Sequence, residues 1–207
     1  MRTLLLLAAA VLAQAAPASS DVPRVIYSRS FPGSVPPYFA ITIFQDGGAT
    51  YNESQDPDND EKILLEASAA RQAFELAERL DHFKHSLESG LKLANMGEKT
   101  LRWEQGEENS ESKFNYSTSE DAKALVDLFE RVQQSARMLL ELRRALKHDR
   151  LGVNDAVLHI QAAWDGRQLL LREDFLPLLD QVAKNDAYIH MARERAARIA
   201  DAIRAAH

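Results

Sequence analysis

Four groups of side chains in this 207-residue chain are equipped for chemistry. Asp81, His82 and His85 lie together where an apolar helical pattern ends. Histidines three apart on a helix can share a metal ion. A third metal ligand is missing from the local pattern, and histidine near a helix C-terminus is favoured by the helix dipole alone. Asp56, Asp58 and Asp60 alternate as the first ligands of a calcium loop do, because a hard cation takes several oxygens. The pattern then fails, with Glu61 where the loop needs glycine and Ala67 where it needs glutamate. A solvated acidic turn is the preferred reading.

Glu104, Glu107, Glu108 and Glu111 crowd a second polar stretch. Paired carboxylates cut glycosidic bonds only when a cleft fixes their separation, and a polar hairpin loop over 105–111 supplies neither. Trp103, Phe114 and Tyr116 fall on the two arms of that hairpin. Trp103 and Tyr116 are candidates for an aromatic platform that binds a sugar or peptide, although the same spacing suits a core. Sequons for N-glycosylation stand at Asn52 and Asn115.

Other chemistries are excluded. The chain has no cysteine, which removes thiol nucleophiles, thiolate metal sites and disulfides. It carries no G-x-S-x-G, no glycine-rich phosphate loop and no H-E-x-x-H. A formal net charge of −6 repels phosphate backbones, so nucleic acid is not an expected partner. No cofactor and no catalytic residue is assigned.

The elements that would position these groups follow from patterning. Arg2, the apolar run 4–12 and the small-residue site Ala13-Gln14-Ala15 form a secretory signal over 1–15, with Ala16-Pro17-Ala18 as a second cleavage option. The product is expected to be periplasmic or extracellular, and no later run is long and apolar enough to span a membrane. Residues 25–28 read as a short strand. Phe39, Ile41 and Ile43 alternate with Tyr38, Thr42 and Phe44 in the clearest strand; with so few charges, both faces are expected to be covered. Asp46-Gly47-Gly48 turns it into a partner strand at 49–53, and 63–65 reads as another short strand.

Ser68 is the expected N-cap of a helix over 69–83. Residues 85–97 are irregular. Ser117 and Thr118, three residues before Glu120 and Asp121, read as a capping box. The helix that follows, 120–148, carries Ala122, Leu125, Phe129, Val132, Ala136 and Leu139 at spacings of three and four. This coiled-coil-like seam either packs on the sheet and tail or pairs with another copy or partner. The fold class is therefore α+β: a small antiparallel sheet of two hairpins covered by helices, followed by an α-helical C-terminal hairpin. The expected segments are a signal at 1–15, a sheet-and-helix domain at 16–118, a long connecting helix at 119–150 and a helical region at 151–207.

Gly33, Pro36, Tyr38, the apolar strand 41–44, Asp46-Gly47 and Tyr51 together resemble a group of uncharacterised bacterial exported domains. The resemblance covers the sheet-and-helix part and none of the tail. It implies a small exported domain and no activity. Many members place two cysteines around the glycine, where this chain has Phe31 and Val35. The reading reached from sequence is an exported, non-catalytic structural or protein-binding module. Its alternatives are a hydrolase using Asp81, His82 and His85, or a small-ligand binder using Trp103 and Tyr116.

Overall fold

In the computed structural model, residues 21–206 are described; the signal segment 1–15 and its cleavage options lie outside them. Period-two alternation places Val25 and Tyr27 of β1 (Arg24–Ser30) on the same face as Phe39, Ile41 and Ile43 of β2 (Tyr38–Phe44). β3 (Gly48–Asn52) and β4 (Glu61–Leu64) extend the sheet beyond β2; β5 (Glu98–Gln105) and β6 (Glu108–Phe114) extend it beyond β1. The order is β4-β3-β2-β1-β5-β6, antiparallel throughout. The expected two hairpins are thus halves of one sheet. β1 joins them, with Val25 opposite Ile43 on one side and Trp103 on the other.

Gly47 makes the β2–β3 turn at φ 93°, and a Cβ there would meet the Leu65 carbonyl oxygen at 3.0 Å. In the second hairpin Gln105 pairs with Glu108, which leaves only Gly106 and Glu107 as the loop. The expected polar loop over 105–111 is therefore mostly strand. Its inward positions are Ser110 and Ser112, so no apolar alternation announces it.

Helices cover one face only. α1 (Ala67–Arg79) and α2 (Glu120–His148) lie across the centre, and the Phe129 ring stacks on Tyr27 at 5.0 Å. The other side of β2, with Thr42 and Phe44, is half-buried, so the double coverage expected for that strand is not found. α1 begins at Ala67 rather than after Ser68 and ends four residues early, because the backbone turns left-handed at Asp81. α2 has the expected bounds, but its cap is Ser119, whose hydroxyl accepts from the Ala122 amide.

α3 (Val153–Asp165), α4 (Arg172–Lys184) and α5 (His190–Ala205) form the helical tail. The tail packs on the sheet domain. Asp174 accepts from the Leu64 amide at 2.8 Å, and Arg172 pairs with Glu66 at 2.7 Å. One hydrophobic cluster runs from Val25 in β1 through Leu139 in α2 to Ile203 in α5. The seam of α2 is consumed in it: Leu125, Phe129, Val132, Ala136 and Leu139 belong to the cluster, and they and Ala122 are fully buried within the single chain.

Candidate functional site

The groups nominated by sequence are held apart. Asp81, His82 and His85 are not on a helix. Asp81, His82 and Phe83 form a tight turn with φ of 48°, 50° and 64°. The His82 ring lies on Trp103, and its Nδ1 is 3.9 Å from Glu108. His85 turns instead to Asp81, at 3.2 Å. The two imidazoles thus face different carboxylates. Among the described residues no three histidine, aspartate or glutamate side chains gather as a metal site. The Lys84 ammonium, 2.9 Å from Glu108, holds that carboxyl below the usual carboxylate range.

The acidic loop diverges for a similar reason. Asp56 caps a short turn by accepting from the Asp58 amide, and Asp60 accepts from the buried Asn52 amide at 2.7 Å. The second glutamate cluster is a ladder of strand pairs. Glu104 pairs with Arg24 and Arg102, and Glu111 pairs with Lys113. The aromatic platform is also absent. Trp103 is 5% exposed, covered by His82 and by the edge of Phe74, while Tyr116 is half-buried beneath Lys123. Both sequon asparagines spend their amides on the chain: Asn52 on Asp56 and Asp60, Asn115 on the Ala94 carbonyl.

A surface groove of about 720 Å³ between α2 and α3 is lined by Gln133, Arg137, Glu141, Arg144 and His159, with Glu53 at one end. Most of its charge is spent within its walls. Arg137 reaches Glu53 at 3.4 Å and the Val35 carbonyl at 2.9 Å, and His159 faces Glu141 at 3.8 Å.

An apolar cleft at the far tip of the tail is built differently. α2 ends when Asp149 caps back to Ala145. The Asp149 carboxylate then accepts from the Gly152 amide at 3.0 Å, which lets α3 start at Val153. In so short a reversal Leu151 has no interior to enter and is 86% exposed. The α4–α5 linker is tightened by Asn185, whose side chain accepts from Ala187 and whose carbonyl accepts from Tyr188. That delivers Ile189 and Met191 to the surface at 53% and 58% exposure.

Because α3 packs on α5, the two linkers sit side by side. They enclose an open cleft of about 360 Å³, floored by buried Val153 and Ala192 and walled by Leu151, Ala187, Tyr188 and Ile189. Its charged and amide lining is Arg150 and Asn154, beside the Tyr188 phenol. Asn154 is occupied by Arg195 at 3.1 Å and Asp155 at 3.2 Å. Arg193 nearby pairs with Asp186 at 2.7 Å. Arg150 is exposed and has no partner among the described residues.

The sequence did carry a sign of this cleft. Leu151 stands at a helix break, where polar residues are the rule. Ile189 is expected from its spacing to join the inward stripe of Ala192, Ala196, Ile199 and Ile203, but it precedes α5 and is exposed instead.

No helix among the described residues is long and apolar enough to cross a membrane. No protein-family model matches the chain, and no curated protein matches it.

Proposed function

We propose that this protein is an exported, non-catalytic module that docks a segment of another protein in the apolar cleft at the tip of its helical tail. The observation that carries the reading is the exposure of Leu151 and Ile189 around one concavity. Contiguous exposed apolar surface beside a cleft marks interaction sites on soluble proteins. Each large aliphatic side chain taken out of water on docking stabilises the complex by about 1.5–3 kcal/mol. Export is supported by Arg2, the apolar run 4–12 and the small residues at 13–15.

The test of docking is a photo-crosslinking residue placed at position 151, with one at Glu107 on the β5–β6 turn as control, in the producing cell. The reading expects a defined heteromeric adduct from position 151 alone, lost when Ile189→Asp is added. No position-specific adduct, or only an adduct of two copies of this chain, overturns it. Export is tested separately by the N-terminus of the extracytoplasmic product. Ala16 is expected, and an unprocessed chain retained in the cytoplasm rejects export.

A further inference from the structure

We infer that the docked segment presents a carboxylate beside an apolar side chain, with the carboxylate read by Arg150; this rests on the docking reading above. The apolar walls of the cleft specify only size and greasiness. Its lining offers one open charge. Asn154 is spent on Arg195 and Asp155, while the Arg150 guanidinium keeps all its donors free among the described residues. The nearest acid in sequence, Asp149, spends one oxygen on the Gly152 amide. Lys147, three residues earlier at the end of α2, is exposed and also without a partner among the described residues.

A partner that fills the cleft strips water from Arg150. A desolvated guanidinium without an acceptor costs free energy, so the partner must supply one. A carboxylate matches the guanidinium fork with two parallel hydrogen bonds and is favoured over a neutral carbonyl. A lysine or arginine at the same place in a partner is repelled, which gives the site a sign as well as a shape.

The test uses the full mature chain, immobilised and panned against random peptides displayed on phage, in parallel with Arg150→Glu and Leu151→Asp. Both positions are exposed, and matching thermal melts of the three proteins confirm intact folding. The wild type is expected to enrich peptides with Asp or Glu within a few residues of an aliphatic or aromatic side chain. Arg150→Glu should weaken binding of those peptides about tenfold and enrich Lys- or Arg-bearing ones instead. Leu151→Asp should abolish both sets. Leu151-dependent peptides without acid bias, or unchanged acid bias in Arg150→Glu, overturn the carboxylate inference and leave docking standing. No Leu151-dependent peptides at all overturns the docking reading, and the inference falls with it.

Discussion

The imidazole of His82 lies flat on the indole of Trp103, ring centroids 4.0 Å apart and planes 6° from parallel. The contact explains why a residue that reads as a metal ligand in sequence is a structural lid. Asp81, His82 and Phe83 all occupy left-handed backbone, at about 1–2 kcal/mol each for side-chain-bearing residues. The distortion is compensated by what it delivers: Phe83 is fully buried, His82 covers Trp103, and the Ser110 hydroxyl donates to the His82 carbonyl. His82→Ala should therefore lower stability by about 0.5–1.5 kcal/mol, the worth of a ring pair. It should also shift Trp103 emission to the red, read in a Trp164→Phe background. Unchanged emission would mean that the stack does not form.

Glu130 of α2 closes the opposite end of the sheet's inner face. Its two carboxylate oxygens accept from Nη1 of Arg29, at 2.9 and 3.0 Å, and one of them also accepts from the Tyr27 hydroxyl at 3.0 Å. Burial, reinforced by the Glu130 charge, pushes the Tyr27 phenol well above its usual range, so it stays a donor at any ordinary pH. Glu130→Leu strands Arg29 and Tyr27 together and should cost about 2 kcal/mol in urea unfolding. Adding Arg29→Met should recover part of that loss, because removing both ends of a partly buried pair costs less than removing one. A double variant as unstable as the sum of its parts contradicts the coupling.

The contrast between these two clusters shows what the chain discloses in advance. The stripe of α2 was legible because six apolar residues repeat at helical spacing, and β2 because Phe39, Ile41 and Ile43 alternate cleanly. The returning arm of the second hairpin was legible at Phe114, but the first half of β6 was hidden because its inward residues include Ser110 and Ser112, which bind the His82 carbonyl and the Leu87 amide instead of filling a core. Ser135 was invisible for the same reason. It sits fully buried in α2 and accepts from the Leu170 amide at 3.1 Å, a partner 35 residues away. The metal and calcium patterns misled because local spacing says nothing about where carboxylates find their donors. Asp60 found Asn52, and Glu108 found Lys84. The tip cleft needs two linkers, 149–152 and 185–189, brought together by α3–α5 packing, and that pairing is a tertiary fact.

Asp180 and Arg204 give the α4–α5 hairpin an acid dependence of defined sign. Two contacts of 2.7 Å from Arg204, with Lys184 at 3.4 Å, hold the Asp180 carboxyl below its ordinary 3.8. A carboxyl depressed in the folded state stabilises fully above its unfolded value, and that contribution is lost as pH falls through the folded value. Asp180→Asn should therefore flatten the fall in urea midpoint below about pH 4 and change its slope little between pH 5 and 7. Circular dichroism of the urea transition at each pH reads this out. Identical acid limbs in wild type and variant would show that the pair contributes nothing.

Leu151 and Val153 are two residues apart and should behave oppositely, because one is 86% exposed and the other fully buried. Truncating Val153 to alanine removes two methyl groups from the cleft floor and leaves a void, at about 2 kcal/mol. Replacing Leu151 by serine removes more carbon yet breaks no interior packing, so unfolding free energy should move by no more than about 0.5 kcal/mol. The same Leu151→Ser change should weaken partner capture at the tip, since the side chain has its apolar surface free to bury against something else. Stability and binding are then separated in a single pair of variants, measured by urea unfolding and by crosslinking yield from position 189. A large stability loss in Leu151→Ser would place that leucine in the core of the fold and remove it from any docking surface.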